Sequence, residues 1–215
     1  MSIAVFGASG ATGKRFIVAA TKAGIPLRLH YRTASTDTAP PLATVVVGAL
    51  SDPTAVREVL RGTSAAVVLF GPRSGTSDIF CAKATRAIID CMRTQEQRRL
   101  LVMTGAAIGP LADNVSMTMR ATTMAFRRFT GEERVDDRAD QERVVRNSRL
   151  DWTLVKPPRL TDNGAGETYR AEVDLEVGLR SSISRDTVAA FLLDEIATPR
   201  FVEKTVYVTG ANAPS

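Results

Sequence analysis

Imidazole is almost missing from this chain. His30 is the only histidine among 215 residues, and it sits inside a strand-like apolar run. It reads as a packed or surface strand residue, which excludes a histidine-dependent triad. Cysteine is nearly as scarce. Cys81 and Cys91 stand ten residues apart in one helical pattern, about 15 Å along a helix, too far for a disulfide. No histidine and cysteine set has metal-ligand spacing, so no metal is expected. Long apolar runs are absent, and nothing approaches the roughly 18 residues of a membrane span. A basic leader followed by an apolar core is also absent, because the chain opens directly on the strand-like Ser2-Ile3-Ala4-Val5-Phe6. The expectation is a cytoplasmic protein with reduced thiols and no signal peptide. Charge of one sign is not concentrated either. The net charge is +5, but both signs are mixed along the chain, without the aromatic interleaving of a nucleic-acid platform. Neither nucleic acid nor membrane is an expected partner, and an acidic small ligand explains the modest positive bias.

What is present is an alternation of apolar runs with helical patterns, the signature of parallel βαβ units. Strands are expected at Ile3–Phe6, Leu27–Tyr31, Thr44–Val47, Ala65–Phe70, Arg99–Thr104, Trp152–Val155 and Thr205–Val208. Several are apolar or β-branched on consecutive positions, as a sheet covered on both faces requires. Helices are expected at Thr12–Ala23, Pro53–Arg61, Asp78–Gln95, within Ser116–Asn147, and at Ser184–Ile196. Asp52 before Pro53, and Ser184, read as N-caps. A chain of this length forms one domain and buries roughly 70% of its unfolded surface without a metal or disulfide. The fold class is therefore α/β: a doubly wound, mostly parallel sheet with helices on both faces in a single domain, residues 1–215. Polar, Gly- or Pro-containing loops at Gly105–Val115 and Arg159–Thr168 follow strand C-terminal ends, where ligands bind in such sheets.

The strongest motif is Gly7-Ala8-Ser9-Gly10-Ala11-Thr12-Gly13, between the first strand and first helix. Gly7 permits a tight turn, Gly10 lets a pyrophosphate approach the backbone, and Gly13 lets helix and strand pack closely. The helix N-terminus then offers unpaired N–H groups to the anion. A P-loop is excluded: Ala8 stands where its first glycine is needed, and Arg15 stands where Ser or Thr is needed. The motif reads as the phosphate turn of a dinucleotide-binding Rossmann domain; the alternative is an ordinary glycine-rich βα turn. NAD sites usually place an acid at the end of the second strand. Here Arg32-Thr33-Ala34-Ser35 follows, with no carboxylate before Asp37. Arg32 suits a 2′-phosphate, so NADP(H) is the expected cofactor; the alternative is a solvated strand-end arginine.

Several further segments occur in matching order: Phe70-Gly71-Pro72-Arg73, Thr104-Gly105, Asp151-Trp152-Thr153-Leu154-Val155-Lys156-Pro157-Pro158, and Ile183-Ser184-Arg185-Asp186-Thr187-Val188-Ala189. With the glycine turn, they make the chain resemble the atypical short-chain dehydrogenase/reductases with an NAD(P)H-binding, NmrA-like domain, near the biliverdin-IXβ reductase/flavin reductase branch. The resemblance runs from residue 1 to about residue 210. It implies that Gly7, Ser9, Gly10, Ala11, Thr12 and Arg32 hold the adenosine diphosphate end of the cofactor and that Leu50 lies by the adenine. It implies that Phe70, Gly71, Arg73, Thr104 and Pro157 approach the nicotinamide. Two departures stand out. Ala49 replaces an aspartate common near the adenine, and Lys156-Pro157-Pro158-Arg159 replaces the Met-Pro-Pro-His of the reductase branch.

Conventional members of that superfamily use a Tyr-x-x-x-Lys pair to deliver a proton to a carbonyl. Tyr31, Tyr169 and Tyr207 are followed four residues on by Ser35, Val173 and Ala211, so the pair is missing. What remains is hydride transfer to an acceptor that needs little acid–base help, such as a flavin or quinone. Thr104, Lys156 and Arg159 are the polar candidates at the nicotinamide end, although Lys156 and Arg159 also read as solvated surface cations. The eight arginines of Arg120–Arg149, interspersed with acids, read as a solvated helix face. The expected function is an NADPH-dependent reductase of a conjugated small-molecule acceptor. A non-catalytic NADP-binding sensor that regulates a protein partner is the alternative.

Overall fold

The computed structural model of the chain describes residues 1–34, 39–71, 79–108, 132–163, 168–175, 177–178 and 180–211. Its centre is an eight-stranded sheet of order β3-β2-β1-β4-β5-β6-β10-β8. The strands are β1 (Ile3–Phe6), β2 (Leu27–Tyr31), β3 (Ala43–Val47), β4 (Ala65–Val68), β5 (Arg99–Met103), β6 (Asp151–Lys156), β8 (Tyr169–Glu172) and β10 (Lys204–Gly210). All neighbours are parallel except the edge pair β10–β8. The order reverses at β1, which pairs with β2 on one side and β4 on the other. Such a switch point opens a crevice at the strands' carboxyl ends.

Strand β1 explains why the sheet is sandwiched. Its four residues are all fully buried. Ile3 and Val5 face one core, with Phe16, Ile17 and Ala20 of α1 (Ala11–Lys22) and Phe191 and Leu192 of α5 (Arg185–Ala197). Ala4 and Phe6 face the other, with Val56 and Val59 of α2 (Pro53–Leu60), Ile88 and Met92 of α3 (Cys81–Thr94) and Val145 of α4 (Glu132–Arg146). Alternation along a strand sends neighbouring side chains to opposite faces, so a strand apolar at every position needs helices on both. Asp52 caps α2, accepting from the Thr54 N–H at 2.8 Å, and Ser184 caps α5, accepting from the Thr187 N–H at 3.0 Å.

Three short strands were not legible in the pattern. β7 (Arg159–Thr161) and β9 (Ser182–Ser184) form a separate parallel pair, and β8 adds an exposed antiparallel edge. Segments of three or four residues carry too few positions for a period to show. The stretch expected as the loop Arg159–Thr168 thus begins as a strand. The helix expected from Asp78 begins at Cys81, because Phe80, at φ −142°, lies outside the helical region and precedes the first turn. Within Ser116–Asn147 a helix runs over Glu132–Arg146; residues 109–131, including most of the expected loop Gly105–Val115, lie outside the described residues. Among the described residues no helix is long and apolar enough to cross a membrane.

His30 is a buried strand residue of β2. Its Nε2 lies 2.9 Å from the Gly48 carbonyl, and its ring meets Phe6 at 5.7 Å between centroids. A carbonyl only accepts, so Nε2 carries the proton. Burial pulls the imidazole below its ordinary value of 6.5, against an opposing effect of the Gly48 bond. The unfolded chain therefore binds a proton near pH ~6.5 that the native state refuses, and stability falls as pH drops through that window. Thermal melts between pH ~7.5 and ~5.5 are expected to show a larger drop in midpoint for the parent than for His30→Gln. Equal drops would remove His30 from the acid sensitivity.

Candidate functional site

The glycine turn sits where β1 ends. Gly7 has φ +94°, and a Cβ there would lie 2.5 Å from the Phe70 nitrogen at the end of β4. Only glycine lets the two strand ends approach so closely. A Cβ on Gly13 would lie 2.2 Å from the Gly7 carbonyl, so the helix also rests directly on the turn. Gly10 is the N-cap of α1, without a side-chain cap and without an acidic residue in the first turn. The first helical bond runs from the Lys14 N–H to the Gly10 carbonyl at 2.9 Å. The N–H groups of Ala11, Thr12 and Gly13 therefore have no partner within the helix. Ser9, Gly10 and Ala11 are exposed, and Thr12 is buried. A Cβ on Gly10 would meet only the Gly7 oxygen, at 3.3 Å. Its missing side chain leaves an open cradle over the amides, and this fits a diphosphate.

Arg32 is exposed just past β2, and Leu50 is half-buried against the α2 side of the core. The Gly48 N–H donates to the Tyr31 carbonyl at 3.0 Å, which ties the two segments together. Ser35 and Arg73 lie outside the described residues.

The opposite half of the crevice is built by α4, whose inward face is polar. Val135, Arg138, Glu142 and Val145 recur at helical spacing and are all buried, together with Asp137 and Gln141. The segment does not present the solvated face expected from its charges; its acids and arginines alternate between water and the interior. The Arg138 guanidinium donates to the carbonyls of Phe70, Met103 and Thr104, each at 3.0 Å, and to Gln141 Oε1 at 2.7 Å. These carbonyls stand at the ends of β4 and β5, where the sheet leaves acceptors unpaired. Asp137 takes the N–H groups of Phe80, Cys81 and Ala82 at 3.1, 2.7 and 3.0 Å. It supplies from another helix the cap that Phe80 cannot give α3. Burial pushes the Cys81 thiol beneath it up to about 12, which leaves it inert as a nucleophile.

Glu142 gathers the remaining groups. The Thr104 hydroxyl lies 2.8 Å from its Oε1 and Arg146 lies 2.9 Å from its Oε2. Lys156 Nζ lies 3.3 Å from Oε1. Lys156 also donates to the Ile108 carbonyl and stands 5.6 Å from the centre of the Tyr207 ring. Its side chain is only 1% exposed. Lys156 is thus corrected from a strand-end cation offered to a ligand to a buried pin joining β6, α4 and the segment after β5. Burial pulls its ammonium below the usual lysine range, and Glu142 pushes the other way. Arg159 is exposed on β7. Pro157 is buried, and its carbonyl receives the Ala106 N–H at 2.9 Å. Phe70 is half-buried, its ring 5.5 Å from Phe80. Phe70, Gly71 and Thr104 are therefore brought together around Arg138. Asp137, Arg138, Gln141 and Glu142 were missed from the sequence, because only Val135 and Val145 mark the inward face by hydrophobicity and the residues between them are charged or polar.

Asp137→Ala is expected to cost about 2–3 kcal/mol by stranding three amides, or ~4–12 °C in melting temperature at this size. Asp137→Asn should recover part of the loss. An unchanged midpoint for the alanine variant would show that the cap carries no stability.

Comparison with known proteins agrees with this geometry. Residues 7–199 match the model of an NAD(P)H-binding domain family. A protein of Streptococcus pneumoniae TIGR4 assigned as an NADH-flavin reductase superposes with a TM-score of 0.77 at 20% identity, over 98% of this chain and 99% of that one. An anaerobilin reductase of Escherichia coli O157:H7 superposes with a TM-score of 0.79 at 19% identity, over 100% of both chains. A wide-type short-chain dehydrogenase/reductase of Veillonella parvula DSM 2008, solved in complex with NADP, gives 0.79 at 15% identity over 99% and 95%. At these identities the structures establish a shared fold. The family match, the switch-point crevice and the glycine cradle together place this chain in the NAD(P)H-binding family of Rossmann-type α/β proteins.

Proposed function

We propose that the protein is an NADPH-dependent reductase that passes a hydride to a conjugated small-molecule acceptor such as a flavin or quinone. When bound, the cofactor supplies the hydride. The chain's own residues hold and orient it. The free amides of Ala11, Thr12 and Gly13 receive the diphosphate, Arg32 receives the 2′-phosphate, Leu50 lines the adenine, and Phe70, Gly71, Thr104 and Pro157 border the nicotinamide. Arg159, exposed on β7, is a cation available to an anionic acceptor among the described residues.

The observation that carries this reading is that, among the described residues, no proton donor is positioned for a carbonyl. Tyr169 is engaged with Asp194 at 2.8 Å, Tyr207 is buried against Lys156, and Tyr31 lies at the β2 end. Lys156 is sealed in the interior and the Thr104 hydroxyl is taken by Glu142. A ketone becomes an alkoxide as hydride arrives, and a positioned acid is worth ~10²–10⁴-fold in rate. A flavin or quinone spreads the charge over its rings and takes its proton from water, so alignment of two rings suffices. The reductase neighbours support this class of chemistry.

Three outcomes are expected. NADP(H) should bind about 10- to 150-fold more tightly than NAD(H), the worth of one charge-assisted contact, and Arg32→Ala should erase most of that preference. Equal dissociation constants in the parent would remove Arg32 from the 2′-phosphate. Gly10→Val should abolish cofactor binding by titration while circular dichroism stays native; normal binding would relocate the diphosphate. Absorbance at 340 nm should show NADPH oxidation with flavin mononucleotide or quinones and none with simple ketones. Turnover of ketones alone would overturn the mechanism. Tight NADP binding without turnover of any acceptor would favour the sensor role instead.

A further inference from the structure

We propose that Glu142 is a positioning residue that fixes the direction of the Thr104 hydroxyl proton, so that Thr104 meets its ligand as a hydrogen-bond acceptor and selects an amide-like N–H. The proposal rests on the reading above for one of its two candidate ligands, the acceptor ring; the other is the cofactor itself.

Thr104 is held before its side chain is considered. Its N–H donates to the Val155 carbonyl at 2.9 Å, and its own carbonyl accepts from Arg138 at 3.0 Å. With the backbone pinned on both sides, Oγ1 stands 2.8 Å from Glu142 Oε1. One of the two must donate. Glu142 is fully buried and already faces two cations, Arg146 at 2.9 Å and Lys156 at 3.3 Å. A carboxylate so surrounded is an acceptor on both oxygens. The proton between Glu142 and Thr104 therefore belongs to Thr104. A threonine hydroxyl has only one proton, and once that is committed inward only lone pairs remain outward. Thr104 is half-buried rather than sealed, at the carboxyl end of β5, the side on which doubly wound sheets take ligands.

The group that complements those lone pairs is an N–H. Two ligands offer one: the carboxamide of the nicotinamide, and the imide or lactam edge of a flavin or pyrrole-type acceptor. A ketone oxygen would meet lone pairs and gain nothing. The buried cluster thus acts as a selectivity device as well as a structural pin, and the same carboxylate that denies Thr104 a role as proton donor makes it a reader of N–H groups.

The test compares ligands that differ in that N–H alone. Calorimetric titration of NADPH against its 3-acetylpyridine analogue, in which a methyl replaces the amide nitrogen, reads the cofactor. KM and kcat for flavin mononucleotide against its N3-methyl form read the acceptor. In one arm the parent is expected to prefer the N–H form by about threefold to tenfold, the worth of one hydrogen bond. Thr104→Ser should keep the preference and Thr104→Val should lose it. In Glu142→Gln the single amide oxygen is drawn to Lys156 and Arg146. The amide nitrogen then faces Thr104, the hydroxyl turns round, and the preference disappears or reverses. The double variant Thr104→Val with Glu142→Gln should discriminate no differently from Thr104→Val alone, because no hydroxyl is left to turn. A purely structural Glu142 would lower the melting temperature without this loss of coupling. If Glu142→Gln does not fold, the valine and serine variants decide alone. Discrimination that survives Thr104→Val, or a parent that discriminates in neither arm, overturns the proposal, and discrimination unchanged in folded Glu142→Gln removes Glu142 from it. A protein that turns over no acceptor, yet shows the cofactor preference and its loss in Thr104→Val, would end the reductase reading and leave this one standing.

Discussion

The guanidinium of Arg138 reaches from α4 to three carbonyls at the ends of β4 and β5, and the arrangement of those strand ends depends on that reach. A parallel sheet ends in carbonyls that the next strand no longer satisfies, and leaving them dry is expensive. Water satisfies them in an open crevice, but water also loosens whatever binds there. A planar cation with five fixed donors satisfies several at once and holds the strand ends at one spacing. Once Arg138 is drawn inward, α4 must place its neighbours inward too. Asp137 then meets the bare amides of α3, Gln141 meets Thr85, and Glu142 meets Thr104 and Lys156.

The interior is therefore divided between two kinds of physics. Around β1 it is apolar on both faces, stabilised by roughly 25 cal/mol for each Å² removed from water. Near the carboxyl ends of β4 to β6 it is a network of buried charges, where each ion survives only because its partners replace its hydration. A second buried pair, Arg99 with Glu195 at 2.8 Å, serves the opposite end of the sheet, where Glu195 also accepts the N–H groups of Arg200 and Phe201. The Glu142 cluster lies instead at the carboxyl ends of β5 and β6, the side on which doubly wound sheets take ligands.

Much of the site was legible before any coordinates. The glycine turn declared itself because its requirements are local. Gly13 is crowded by backbone about six residues earlier in the chain, and Gly7 takes a positive φ that glycine favours; the close approach of β4 to Gly7 is the one part that is not local. The position of Arg32 just past β2 was legible because the end of the second strand follows from the strand itself. The strands β1 and β4 were legible because a doubly covered strand is apolar at every position. The short strands β7 to β9 were not, since three or four residues hold no period, and Lys156 was misread because a lysine at a strand end is usually solvated.

By itself the sequence determined the alternation of strand and helix, the mostly parallel sheet, the glycine turn and the absence of a tyrosine–lysine pair. Each is written in spacing or composition within one or two elements. Only the tertiary structure decided which face of α4 is buried, because hydrophobic periodicity is blind to a helix that buries charges. Whether Asp137, Arg138 and Glu142 face water or the core depends on strand and helix ends 34 to 68 residues away in the chain. The free energy that settles it, desolvation set against hydrogen bonds to strand ends, exists only after those ends have been brought together.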